Sequence, residues 1–428
     1  MSATAEGTSH HEATPQPGAT YRHLFTNPEF RALWSAQTLS YAGDQLAQVA
    51  MAVLVFARTG SPAITALAYS LTYLAPLAGA PLLSGLADLV PRRQLMIALD
   101  LVRAGLVTIM ALPRAPLALV CTLLLATVLL GPPFAAARSA LLPEVVPPDT
   151  LVQGVTVGNI TFQAGQVGGF LGGGAAVALL GPHRALALDA LSFCLSAVLI
   201  ATWVRNRTLP PAASQPRHTL RGTARYAHDV VFGHAGLRTL VLMGWLAGFA
   251  IVPEGLAAPY AHALGGGPLT VGLLMAAMPA GMVAGGLAVG QLAGPARGMR
   301  MLGPLAMLSC APLAFSLLQP PLWVLVPLWA LAGVAGAYQL AAAAAFVKAL
   351  PGAARGRAVS IAQTGLLTAQ GVGILAAGAA AARLGPQAVV GIAGIAGVGA
   401  AAILAARWAF HAGTLPSQPP ARPRARTS

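Results

Sequence analysis

Apolar residues run through this chain in long stretches, broken by short segments that hold the prolines, glycines and charges. Each stretch reaches the length of about 20 residues that lets a helix cross a bilayer. Twelve can be read, roughly 30–57, 62–88, 94–112, 115–138, 151–180, 183–204, 237–262, 268–293, 299–318, 322–347, 357–384 and 387–408. Several exceed the minimum, so tilted or kinked helices are expected. Pro132-Pro133 interrupts the fourth. The pattern therefore predicts an all-α integral membrane protein in two six-helix halves, 28–204 and 237–408. Between the halves, residues 205–236 hold Pro210, Pro211, Pro216 and five arginines, and read as a linker with a short surface helix near Ala224–Phe232. Residues 1–27 read as a polar tail without the apolar core of a signal peptide. Residues 409–428, rich in proline and arginine, read as a basic disordered tail.

The charges sort by side. With the first residues on the inner face, twenty of the 25 basic residues fall on that face and four, Arg58, Arg114, Arg184 and Arg383, on the other. Arg103 remains inside a span. Basic residues accumulate on the cytoplasmic side of membrane proteins, so both termini are expected there.

Composition supports the same class. Of 428 residues 56% are hydrophobic and 8% charged, against about 25% charged in soluble domains. The formal charge of +14 is scattered over loops with no aromatic-basic stripe, which speaks for topology and against nucleic acid. Cys121, Cys194 and Cys310 lie in apolar runs at unrelated spacings, and the histidines show no metal-site spacing. No phosphate-binding Gly-x-x-x-x-Gly-Lys-(Ser/Thr) loop occurs, so neither ATP-driven transport nor another enzyme activity is indicated. No cofactor or metal is expected.

Polar side chains within spans need a reason in lipid. Gln37, Tyr41, Asp44 and Gln48 recur at helical spacing on one face of the first span, which predicts a face turned to a watery cavity. Asp44, Asp189 and Glu254 are acids placed within spans and are candidates to carry a proton between faces. Asp44 leads, since it is near mid-span with no obvious ion-pair partner except Arg103. Glu254 follows Pro253 and is expected at a kink opposite the first span. Asp100 and Arg103 share a helical face and are expected to form a structural salt bridge. Gly165, Gly169 and Gly173, spaced by four, predict close helix packing. Tyr73, Trp245, Tyr338 and Gln339 are candidates to line the cavity.

The chain also repeats itself. Shifted by 204 positions, Gln166, Gly169, Leu171, Gly174 and Leu180-Gly181-Pro182 meet Gln370, Gly373, Leu375, Gly378 and Leu384-Gly385-Pro386. Gly85-Leu86-Ala87 likewise meets Gly286-Leu287-Ala288. Parallel repeats of this kind are a mark of transporter folds.

The loop Ser84-Gly85-Leu86-Ala87-Asp88-Leu89-Val90-Pro91-Arg92-Arg93 resembles the signature loop between helices 2 and 3 of the major facilitator superfamily of secondary transporters. Leu86, Ala87, Asp88, Arg92 and Arg93 match its pattern; Ser84, Leu89 and Pro91 depart from it. Within that superfamily the chain resembles the bacterial multidrug and macrolide exporters. Gly43-Asp44, Asp100-x-x-Arg103, the stretch from Ala137 to Glu144 and Leu188-Asp189-Ala190-Leu191-Ser192-Phe193 carry that likeness. The exporters' Gly-Pro-x-x-Gly-Gly motif reads here Gly168-Gly169-Phe170-Leu171-Gly172-Gly173, without the proline.

The resemblance implies a monomeric transporter of the bacterial plasma membrane with a small-molecule cavity between its halves, driven by the proton gradient. It implies proton-coupled efflux of small amphipathic compounds, with import of a metabolite or lipid flipping on the same fold left open. It also implies a conformational lock around Asp88, Arg92, Arg93, Asp100, Arg103 and Arg138, with Asp88 facing the start of the eleventh span.

Overall fold

A computed structural model describes residues 24–83, 85–207, 220–292, 295–351 and 355–411. Both predicted tails up to 23 and from 412, and the proline-rich part of the linker, lie outside the described residues. So does the side chain of Asp88. All regular structure among the described residues is helical.

The long helices are α1 (Pro28–Thr59), α2 (Pro62–Leu83), α3 (Arg92–Met110), α4 (Leu117–Val145), α5 (Leu151–Leu180) and α6 (Pro182–Trp203). They continue with α7 (Ala235–Gly255), α8 (Pro268–Leu292), α9 (Pro295–Ala314), α10 (Leu322–Ala349), α11 (Arg355–Leu384) and α12 (Pro386–His411). Among the described residues, nine of them are apolar and long enough to cross a membrane by length and composition.

Local sequence sets the helix ends. At the start of α1 the Asn27 side chain accepts from the backbone N–H of Glu29 (2.9 Å) and Phe30 (3.4 Å), and Pro28 occupies the first turn, where its missing N–H costs nothing. α1 ends on Gly60 at φ 61°. α4 is interrupted at Leu130, before Gly131-Pro132-Pro133 opens its second segment. α7 breaks into Ala235–Trp245, Ala247–Ala250 and Val252–Gly255, with Ala257–Ala263 following, because Pro253 and the glycines around it interrupt the hydrogen-bond ladder. The second span, expected to run to Asp88, stops at Leu83; Gly85 begins a separate short helix, Leu86–Leu89, that carries Asp88. The linker helix expected near Ala224–Phe232 runs over Leu220–Gly233 and buries Val230 and Val231.

The sequence repeat reappears as geometry. α5 and α6 are joined by Gly181 at φ 81°, and α11 and α12 by Gly385 at φ 82°. That backbone region penalises any residue with a Cβ, so both positions require glycine.

Within the first half α1 packs on α5 and α6, and α3 on α6; within the second, α8 packs on α10, and α9 on α12. Between halves the main contacts are α2 with α11 and α5 with α8. Both seams need small residues. A Cβ on Gly272 would lie 2.5 Å from the Phe170 carbonyl oxygen, and one on Gly378 2.2 Å from the Ala66 Cβ. Gly174 and Gly378, partners in the sequence repeat, thus both sit at a seam.

The hydrophobic cores divide unevenly between the two ends. One core crosses the halves, joining Val49, Val107, Phe170 and Phe193 to Tyr260, Leu274, Trp329 and Ile374. A second core belongs to the first half alone (Phe30, Met96, Leu141, Ile200), and a third to the second half alone (Leu237, Leu302, Phe346, Trp408). The shared core occupies the end marked by Gly60, Gly181, Gly265 and Gly385, the closed end. The separate cores occupy the opposite end, where Arg92, Arg93 and Arg207 gather, the basic end. Among the described residues the halves therefore share an apolar core at one end and keep separate cores at the other.

Candidate functional site

Two buried polar centres stand out. The first lies inside the first half, where α1, α3 and α6 meet. Gly43 lets α6 come so close that a Cβ there would sit 2.4 Å from Asp189 Oδ1 and 2.2 Å from Ser192 Oγ. Ser192 Oγ donates to Asp189 Oδ1 at 3.3 Å, and Ser196 Oγ donates to Asp100 Oδ2 at 2.6 Å. Arg103 is buried with its guanidinium carbon 5.7 Å from the Phe134 ring centroid and 5.4 Å from that of Phe193, a cation–π arrangement. Its charge reaches Asp44, Asp100 and Asp189. One guanidinium against three carboxylates leaves this centre short of positive charge. Asp100 Oδ1 and Arg103 Nε have no hydrogen-bond partner among the described residues.

The expected Asp100–Arg103 salt bridge therefore does not form at ion-pair distance among the described residues. Ser196 takes the Asp100 carboxylate, while two aromatic rings take the guanidinium. Asp44, Asp100, Arg103 and Asp189, scattered in sequence, become one cluster.

The second centre joins the halves. Tyr69 of α2 donates its hydroxyl to Glu254 Oε2 at 3.0 Å, with both residues buried. The Tyr73 ring, one turn along, lies 6.0 Å from that of Tyr69. Glu254 does sit in the broken part of α7, but it faces α2, and α1 meets the next segment through Phe56 and His262. Gly255, packed so that a Cβ would lie 2.7 Å from Ile374 Cγ2, draws this segment against α11 and turns the acid to the seam.

Other expected site residues resolve differently. The polar face of α1 meets its own half. Gln37 accepts a hydrogen bond from Arg138, Tyr41 stacks edge-on against Phe162 at 5.1 Å, and Asp44 and Gln48 are half-buried. Trp245 Nε1 donates to the Ala362 carbonyl at 3.0 Å, and Tyr338, fully buried, donates to the Met243 carbonyl at 2.7 Å. Both tie helices of the second half together; Trp245 and Gln339 are half-buried.

The basic residues of the proposed lock bind within the first half. Arg92 pairs with Glu144 and donates to the Ala140 carbonyl at 3.2 Å. Arg93 donates to the Ile200 and Ala201 carbonyls at the end of α6, where a helix C-terminus favours a cation. Arg207 pairs with Glu29 and lies 3.8 Å from Glu144. The glycines at 165, 169 and 173 do pack closely, as expected, against Tyr41, Gln45 and Leu46 of α1.

Among the described residues, an all-helical fold with two halves, seams of small residues and two polar centres buried in its helices is an arrangement suited to a membrane transporter. Comparison with known proteins agrees. Residues 21–423 match a family model described as transmembrane secretion effector. An uncharacterized MFS-type transporter, y4rN, of Sinorhizobium fredii is 30% identical over 286 residues, covering 64% of this chain and 68% of that protein. A bacterial homolog of the human lysosomal transporter Spinster, solved inward-facing and occupied, superposes with a TM-score of 0.72 at 15% identity, over 95% of this chain and all of that one. A nucleoside transporter, NupG, gives 0.70 at 14% identity, over 89% of this chain and 99% of its own. The chain belongs to the transmembrane secretion effector family of major facilitator transporters. It is a multi-pass membrane protein, a secondary transporter whose family and fold are those of transporters and not of enzymes.

Proposed function

We propose that this chain exports small amphipathic compounds across the bacterial plasma membrane in exchange for protons, as a monomer. The observation that carries the reading is the division of the core, shared at the closed end and separate at the basic end. Positive charge accumulates on the cytoplasmic side, so the basic end faces the cytoplasm and the molecule is open inward, with both termini inside. The family description, a secretion effector, favours export. Asp44 is the coupling residue, since it is the half-buried member of a cluster short of positive charge. Protons or cationic groups bind and leave such a cluster more readily than a balanced pair. Asp189 and Asp100 share the charge, and Arg103 keeps the site from requiring a proton on every acid.

The test uses inside-out vesicles with an acidic lumen and a panel of amphipathic compounds. Wild type should drive compounds into the lumen, and Asp44→Asn should lose that uptake while inserting normally. Full gradient-driven uptake in the mutant would remove Asp44 from the mechanism. Movement of labelled lipid without compound uptake would make the protein a flippase, and gradient-driven exit of a metabolite from the lumen would make it an importer.

A further inference from the structure

Glu254 is a carboxylic acid from one half whose hydrogen-bond partner comes from the other. It is 6% exposed and Tyr69 is 4% exposed, so closure at this end removes both from water. The segment Val252–Gly255 is packed by α2, α8, α11 and α12. From α2 it is faced by Tyr69 and Tyr73. α8 contains no titratable residue at all. α11 has only Arg355, Arg357 and Arg383, close to its ends, and α12 has only Arg407 and His411 in its last turns. No cation faces Glu254 among the described residues.

Burying an ionised carboxylate is costly without a cation, whereas the neutral acid with one good hydrogen bond is not. When the halves part at this end, water reaches the same carboxyl and the charged form becomes affordable. We infer that Glu254, with Tyr69 and Tyr73, forms a proton site between the halves, and that a proton bound there lets this end of the transporter close. The site is distinct from the Asp44 cluster, which lies wholly within the first half. It deepens the proton-coupled reading above and rests on it for its part in transport. Tyr69 acts as a positioning residue: its hydroxyl holds the carboxyl at the seam in either protonation state.

Placement supports a gating role. Tyr69 lies on α2 between the contacts that bring α2 to α11, Ala66 with Gly378 and Leu74 with Gly371. A change in charge at Glu254 therefore acts inside the seam itself.

The experiment reads the gate directly. Spin labels on Leu180→Cys and Leu269→Cys, exposed positions at the ends of α5 and α8, report the separation of the halves at the closed end in full-length protein freed of Cys121, Cys194 and Cys310. Wild type should shift from separated to close label distances as the pH is lowered from mildly alkaline to mildly acidic. Glu254→Gln should stay close at every pH. Tyr69→Phe should lose closure more at alkaline than at acidic pH, which also provides a second readout should Glu254→Gln fold poorly. A wild-type pH response retained in Glu254→Gln would overturn the site, and so would equal loss of closure at every pH in Tyr69→Phe. Transport against an imposed gradient is measured separately on the unlabelled protein. A gate that responds to pH in a protein whose transport ignores the gradient would defeat the coupling reading and leave this site standing.

Discussion

Gly272 offers the most direct test of how the halves meet. Replacing it with alanine would place a Cβ 2.5 Å from the Phe170 carbonyl oxygen and 2.8 Å from Gly174 Cα. Both obstacles are backbone and cannot swing aside. Restoring a contact of 3.4 Å, where ordinary van der Waals distances begin, requires α5 and α8 to separate by about 0.9 Å at that point. Overpacking of this kind costs about 1–3 kcal/mol. Only the closed arrangement bears the cost, because the two helices part when this end opens, so the closed-to-open ratio should fall by about 5- to 150-fold. Gly172, on the facing helix α5, has nothing within 4 Å of its Cβ position among the described residues, and Gly172→Ala is the control. Label distances between Leu180→Cys and Leu269→Cys read the outcome in each background. Equal distance distributions in Gly272→Ala and Gly172→Ala would refute the seam.

Arg103→Ala removes the cation from a cluster of three carboxylates and from its two aromatic rings, a desolvated cation–π contact alone being worth about 2 kcal/mol or more. Its thermal unfolding in detergent should come well below wild type, and Arg103→Ala with Asp100→Asn should recover part of the loss; no recovery would mean the charges do not share one site. Reporters fused at Arg217 and after His411 should both read cytoplasmic, and one near Gly266 external. An external reading at 217 would reverse the orientation inferred from the arginines.

Most of the architecture was legible in the chain because lipid leaves few alternatives. A backbone that must satisfy its own hydrogen bonds forms helices wherever apolar runs are long enough, and the Leu-Gly-Pro repeat announced the two matching turns at Gly181 and Gly385. The Gly165, Gly169 and Gly173 stripe was equally readable, since close packing shows as spacing. The polar centres were harder. Asp44 and Asp189 are separated by 145 positions (189 less 44), and only the approach of α6 to Gly43 joins them. Tyr69 went unnoticed because one aromatic residue in an apolar run carries no periodic signal; its spacing of four from Tyr73, which puts both hydroxyls on one face, was the clue available. Trp245 and Tyr338 have polar tips that suggested water, and each of those tips donates to a backbone carbonyl, of Ala362 and Met243.

The single-glycine joints at Gly181 and Gly385 have a mechanical consequence. Each links a seam helix, α5 or α11, to a helix packed inside its own half, α6 or α12. α5 and α11 each run 30 residues, about 45 Å, away from the joint, and α5 stays packed on α1 of its own half through Gly165, Gly169 and Gly173. A half that rocks as one body by about 10° about this end carries the far tip about 8 Å while hardly displacing the glycine. The leverage runs toward the basic end, so a small rotation where the halves share a core becomes a large displacement at the opposite end.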